Sequence, residues 1–230
     1  MTANTSVHTN ALVHIVDDEA IVREALATLL EAAGLTTRSY ASAESFLRAF
    51  DKTIPGCVVI DVCLPGMSGL DVQAQLTRAG ATTPIIILTG HADVPMAVEA
   101  MARGAVGLLQ KPPRSHELLE MVAASVDWHC AYLEQSTRRG DLGDKLKELT
   151  DREREILQLV VDGKASKDIA ARLGISQRTV EQHRSHVMRK LEVDSVAQLV
   201  RMAVELRDSP SAVQMRHSVR AMMPSAVMTR

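Results

Sequence analysis

The sequence predicts a five-stranded, doubly wound parallel α/β sheet followed by a small all-α domain of four helices. Three observations carry that expectation. Short unbroken runs of apolar residues recur through the first half, each followed by a helix-length amphipathic stretch. In the second half such runs vanish, and apolar residues recur at helical spacing between capping signals. The halves also differ in charge. Residues 11–130 hold 8 basic and 14 acidic side chains, residues 150–208 hold 11 and 10, and the last 22 hold 3 and none. An acidic front and a neutral-to-basic rear point to two modules with different partners.

Leu12 to Val16, Cys57 to Ile60 and Pro84 to Leu88 read as strands buried on both faces, since a parallel sheet covered by helices needs no polar alternation. Ala105 to Leu109, broken by Gly107, is a weaker fifth strand, and Thr36 to Tyr40 a poor edge strand. Val22, Ala25, Leu26, Leu29 and Ala33 share a helical face, as do Leu118, Val122 and Val126. Val94, Val98 and Met101 also have helical spacing and read as a core stripe, with Met96 off it. These elements make residues 11–130 one domain.

Beyond Asp127 the pattern loosens, and 131–148 is expected to be a linker continuing from the last helix, charged and containing Gly140 and Gly143. Thr150 and Glu153 then form a capping box, each able to satisfy the other's backbone amide. Helices are expected at about 151–161, 166–173, 177–191 and 195–206, with Gly163 and Gly174 stopping the first two and Ser176 capping the third. These make up a second domain, 149–208. The tail 209–230 lacks periodicity and is expected to be disordered.

Composition narrows the function classes. At 46% hydrophobic and 23% charged, 230 residues can bury a real core. No apolar run approaches the roughly 18 residues of a membrane span, and the first ten residues have no secretory apolar stretch. Cys57, Cys63 and Cys130 form no framework, which suits free thiols in a reducing cytoplasm. Aromatics, at 2%, are too few for base-stacking platforms.

Polar residues gather at strand ends. Asp17 and Asp18 follow the first run, Asp61 the third, Thr89 the fourth and Lys111 the fifth. In an open parallel sheet the carboxyl ends of the strands share one edge, where ligands bind. Close carboxylates repel, and a divalent cation relieves them; an all-oxygen set with room for water favours Mg²⁺ over zinc. A lysine and a hydroxyl facing the cluster suit a carboxylate that accepts a phosphoryl group. A strand-terminal Asp can equally cap the next helix, but five such residues on one edge favour a site.

The stretches His14-Ile-Val-Asp-Asp-Glu19, Val59-Ile-Asp61-Val-Cys-Leu-Pro-Gly-Met-Ser-Gly69 and Ile86-Ile-Leu-Thr89, with Lys111-Pro112, resemble the receiver domain of two-component response regulators. The resemblance implies sheet order 2-1-3-4-5 and Asp61 as phosphoacceptor from a sensor histidine kinase. It further implies Mg²⁺ held by Asp18, Asp61 and the Cys63 carbonyl, with Asp17 acting nearby, and Thr89 and Lys111 contacting the phosphoryl oxygens. A cis Lys111–Pro112 bond belongs to the same pattern. Leu108 departs from it, standing where many receivers carry an aromatic switch residue. The text around residues 93–102 is similar to FixJ-type regulators, whose receivers pair through this surface when phosphorylated.

In the rear, a short helix, the turn Gly174-Ile-Ser176 and a longer helix make a helix-turn-helix, a motif that puts its second helix in the DNA major groove. That helix, 176–191, holds 4 basic residues against 1 acidic. A plain helical bundle would show similar periodicity. Leu149 to Leu157, Lys167 to Ser176 and Arg178 to Leu191 resemble the LuxR/NarL-type DNA-binding domain. That implies base or backbone contacts from Arg178, Thr179, Glu181, Gln182 and Ser185, and phosphate contacts from Lys190 and His183. Arg184 stands where most relatives are apolar; it can fold over the bundle or reach a phosphate, and the second is expected.

Together the resemblances imply a cytoplasmic transcription factor of the NarL/FixJ type. Phosphorylation on Asp61 would dimerise it, and the homodimer would bind double-stranded promoter DNA and activate transcription with RNA polymerase. No enzyme turnover of a separate substrate is expected beyond the receiver's own phosphoryl transfer and hydrolysis. Two rivals are an Asp-nucleophile Mg²⁺ phosphatase, which would want an acid where Cys63 stands, and a regulator whose receiver only dimerises.

Overall fold

The computed structural model describes residues 10–90 and 94–207; the 209–230 tail expected to be disordered lies outside the described residues. Within the described residues the chain divides into two compact units, 10–133 and 134–207.

The first unit holds five parallel strands, β1 (Leu12–Val16), β2 (Thr36–Tyr40), β3 (Gly56–Asp61), β4 (Ile85–Thr89) and β5 (Gly107–Gln110), in spatial order β2-β1-β3-β4-β5. Between them lie α1 (Ala20–Ala32), α2 (Ala43–Ala49), α3 (Gly69–Arg78) and α4 (Val94–Ala102), with α5 (Ser115–Lys147) after β5. Every residue of β3 and β4 is buried, which is why these strands read as unbroken apolar runs. Alternate side chains serve opposite faces. Val59, Ile86 and Leu88 pack with α1 and α5 residues such as Leu30, Leu118 and Val122, whereas Val58, Ile60, Ile85 and Ile87 pack with Phe46, Val72, Leu76 and Ala100 of α2, α3 and α4.

Two buried histidines tie this unit together. The His129 ring, fully buried on α5, has Nδ1 3.0 Å from the Gly56 amide and 2.9 Å from its carbonyl at the start of β3. His14 of β1 sits among Tyr40, Phe46 and Phe50, with Nδ1 3.1 Å from the Tyr40 hydroxyl. Burial holds both rings neutral, each pushed down to about 4, with the charge of Arg38 adding to the effect at His14. Burial also drives the Cys57 thiol far upward; Cys130 is buried too, and Cys63 is exposed.

The short helix α4 departs from expectation. Val94 and Val98 are 76% and 62% exposed, and the helix rests instead on Ala100, with Met96 and Met101 packed partly against the core. In nine almost wholly apolar residues, two stripes fit helical spacing equally well, and the small Ala100 is the one that allows close approach to the sheet.

The second unit contains the distal turns of α5 and four helices, α6 (Asp151–Val161), α7 (Ser166–Leu173), α8 (Gln177–Lys190) and α9 (Val196–Arg207). The expected linker is helical as far as Lys147, and its Leu142 and Leu146 pack against the apolar cluster that includes Ile156, Val160 and Leu191. Thr150 and Glu153 form the capping box at α6, Ser176 accepts from the Thr179 amide at α8, and Gly163 and Gly174 have positive φ. Among the described residues no helix is both long and apolar enough to cross a membrane.

Candidate functional site

Register brings the polar strand ends together. Val16 pairs with Ile60, Asp61 with Leu88, and Thr89 with Gln110, so Asp17, Asp61, Thr89 and Lys111 emerge side by side at the carboxyl edge. Carboxylate oxygens of Asp17, Asp18 and Asp61 all lie within 4.8 Å of one another. Neither Asp17 nor Asp18 caps α1, whose N-cap Glu19 has no side-chain bond; Asp17 Oδ1 accepts instead from the Glu19 amide at 2.9 Å.

Lys111 stands at the centre of the charge balance. Its Nζ lies 2.6 Å from Oδ2 of both Asp17 and Asp61, with Glu19 at 3.7 Å. It donates a directed hydrogen bond to Asp61, while the approach to Asp17 lacks that geometry and leaves buried Asp17 Oδ2 with a charge partner only. Burial raises the Asp17 carboxyl above its ordinary range, a rise that Lys111 and the Glu19 amide reduce. Burial would lower Lys111, but the short contacts of its ammonium with the Asp17 and Asp61 carboxylates hold it above the usual lysine value. The Lys111–Pro112 peptide is cis, and the Lys111 amide donates to the Thr89 carbonyl at 2.8 Å.

The loop after β3 completes the pocket. The Cys63 amide donates to Asp61 Oδ1 at 3.0 Å. Gly69, at the start of α3, lies so close that a Cβ there would be 2.4 Å from the Asp61 carbonyl, so only glycine lets α3 begin against the Asp61 backbone. Thr89 is fully buried beside them, and Leu108 is half-buried on the α4 side of the sheet. The donor set fits a hard divalent cation: three oxygen ligands, one carboxylate oxygen without a directed bond, and exposed Asp18 leaving room for water. Arg23, outside the motif residues, donates from Nη1 to the Asp17 and Asp18 carbonyls at 2.7 and 2.8 Å. Its only sequence signal is its place one turn into the helix after the acidic pair.

In the second unit, α7, the Gly174 turn and α8 make the helix-turn-helix. Arg178, Glu181, Gln182 and Ser185 are exposed on α8, and Thr179 and His183 half-exposed, while Val180 and Val187 face the core. Arg184 and Lys190, expected at phosphates, have partners within the helical unit. Arg184 turns inward and donates from Nη1 to Ser166 Oγ on α7 at 2.7 Å. Lys190 Nζ lies 2.7 Å from Glu153 Oε2 and 3.1 Å from the Glu148 carbonyl, tying α8 to α6. Both cations are satisfied inside the bundle, through partners on other helices that the spacing along α8 does not reveal.

A receiver-type sheet with an acidic edge, followed by a helix-turn-helix, is the architecture of a response regulator that acts as a transcription factor. Residues 13–123 match the response regulator receiver domain, and residues 147–203 match the luxR family of bacterial regulatory proteins. The chain is 44% identical over 192 residues to the transcriptional regulatory protein FixJ of Azorhizobium caulinodans, covering 84% of this chain and 91% of that one. It is 39% identical over 199 residues to the response regulator protein TodT of Pseudomonas putida, covering 86% and 88%. The solved structure of the response regulator StyR superposes with a TM-score of 0.77 at 37% identity, covering 85% of this chain and 99% of that one. The chain belongs to the NarL/FixJ family of response regulators.

Proposed function

We propose that Asp61 accepts a phosphoryl group from a sensor histidine kinase and that this drives the chain to dimerise and bind promoter DNA in the cytoplasm. The observation that carries the reading is the bridge from Lys111 Nζ to both Asp17 and Asp61 at 2.6 Å. It neutralises a carboxylate cluster that would otherwise repel an incoming anion. Asp61 presents its carboxylate at the pocket, with the Cys63 amide orienting Oδ1. As the donor's phosphorus–nitrogen bond breaks, a phosphorus–oxygen bond forms at Asp61, and Lys111 and Thr89 bind the transferred oxygens. Asp18, Asp61 and the Cys63 carbonyl, with Asp17 beside them, would hold Mg²⁺, which supplies charge neutralisation.

The exposed face of α8 then binds DNA. Arg178, Thr179, Glu181, Gln182 and Ser185 meet bases or backbone and His183 meets a phosphate, while Arg184 and Lys190 brace the helix. Dimerisation through the exposed Val94 and Val98 face links two weak half-site contacts into one strong one, and the bound dimer activates transcription with RNA polymerase. Cys63, two residues after Asp61, is a poor general acid, so no phosphatase turnover of separate substrates accompanies this role. Incubation of the full chain with Mg²⁺ and acetyl phosphate should add one phosphoryl group by intact mass and convert monomer to dimer by native mass. An Asp61→Asn chain that still gained both would overturn the reading.

A further inference from the structure

We infer that Arg23 is a positioning residue for the divalent cation, fixing the aim of Asp18 by clamping the backbone that carries it. The inference rests on the proposed phosphoacceptor reading. Asp18 is exposed, and among the described residues its carboxylate makes no hydrogen bond or ion pair, so its direction depends on its main chain alone. That main chain is held at every peptide from β1 to α1. The Asp17 amide donates to the Tyr40 carbonyl at 3.1 Å, and the Glu19 amide donates to Asp17 Oδ1 at 2.9 Å. The two remaining carbonyls, of Asp17 and Asp18, both accept from Arg23 Nη1.

One nitrogen therefore ties together two consecutive peptide planes, the second of them shared with the Glu19 amide bond, and so helps fix the exit direction of the Asp18 side chain. Arg23 stands half-buried one turn into α1, so its own position is set by the helix rather than by the loop it holds. The clamp also turns both carbonyl dipoles toward a cation already in place. Without it, the Asp17–Asp18 peptide loses the bond to its carbonyl, and the aim of Asp18 towards Asp17 and Asp61 loosens. Removing partners that orient metal ligands costs roughly ten- to hundredfold in metal affinity, and a loss of that size is expected here.

The test is calorimetric titration of the full chain with Mg²⁺ alone, for wild type, Arg23→Ala and Arg23→Lys. Arg23→Ala should raise the Mg²⁺ dissociation constant about tenfold or more. It should raise by the same factor the Mg²⁺ needed for half-maximal acetyl phosphate uptake, while uptake at saturating Mg²⁺ returns towards wild type. Arg23→Lys, which keeps the charge but not the planar fork, should recover part of the affinity. If Arg23→Ala does not fold, Arg23→Lys and Arg23→Gln carry the comparison. Affinity equal to wild type in the folded variants, or lost only in step with their thermal stability, overturns the inference. Failure of the wild-type chain to bind Mg²⁺ or take up a phosphoryl group would instead sink the phosphoacceptor reading, whatever Arg23 does.

Discussion

Lys111 Nζ stands 2.6 Å from Asp61 Oδ2, a contact that reaches across β4 and joins residues 50 apart in the chain. The same nitrogen touches Asp17, so Lys111→Ala leaves three carboxylates facing one another unrelieved. Breaking a largely buried pair of this kind costs about 3 kcal/mol, and added Mg²⁺ should restore more melting temperature to the variant than to wild type. With Mg²⁺ left to neutralise the cluster, the variant should still accept a phosphoryl group from acetyl phosphate, more slowly, but lose most of the resulting gain in DNA affinity. Full phosphate-dependent DNA binding by Lys111→Ala would remove Lys111 from the coupling.

Val98→Asp tests the α4 surface. The side chain is 62% exposed, so the substitution should change stability by no more than about 0.5 kcal/mol. Phosphorylated Val98→Asp should nevertheless remain monomeric by native mass, because two copies would bring carboxylates face to face. Undiminished dimerisation would move the interface elsewhere on the receiver.

The buried histidines make the first unit acid-sensitive. Both have folded values of about 4 against an ordinary 6.5, so the unfolded chain binds their protons first. Their stabilisation is fully present above about pH 6.5 and is lost as pH falls towards 4, on the order of 3 kcal/mol for each ring. Asp17, raised by burial, works in the opposite sense at the acid end. Urea midpoints measured from pH 7 to 4 should fall less steeply for His129→Gln than for wild type. Parallel curves would mean that His129 is already charged when folded.

Glu153 gives the second unit a different acid window. Hydrogen bonds from Lys190, then from the Thr150 amide, hold its carboxyl down at about 2 against an ordinary 4.5. A depressed carboxylate stabilises above the unfolded value and loses that contribution as pH falls through the folded one. Melting of the helical unit, followed by helical circular dichroism, should therefore decline between about pH 4.5 and 2 in wild type, and Glu153→Gln should flatten that decline. A variant curve that tracks wild type across this range would deny the pair its role.

Strands β1, β3 and β4 were legible almost to the residue because burial on both faces leaves no competing pattern, and the convergence of Asp17, Asp61, Thr89 and Lys111 follows from strand ends in a parallel sheet. What escaped the sequence are features decided by neighbours distant in the chain. The inward turn of Arg184 depends on Ser166, the commitment of Lys190 on Glu153, and the clamp of Arg23 on two carbonyls, which carry no residue identity at all. The exposure of Val94 and Val98 is not legible in the sequence, because hydrophobicity alone cannot orient a helix that is apolar nearly all round. The distal turns of α5 were hidden by a polar, glycine-bearing stretch that becomes ordered where Leu142 and Leu146 meet their partners.

The uneven distribution of the three thiols has a practical consequence. Cys57 and Cys130 are buried, so a maleimide dye added to the native chain would attach at Cys63 without any engineering. Since the Cys63 amide already grips the Asp61 carboxylate, such a fluorophore would sit at the mouth of the pocket as a built-in reporter, its emission following each change in the occupancy of that pocket in real time.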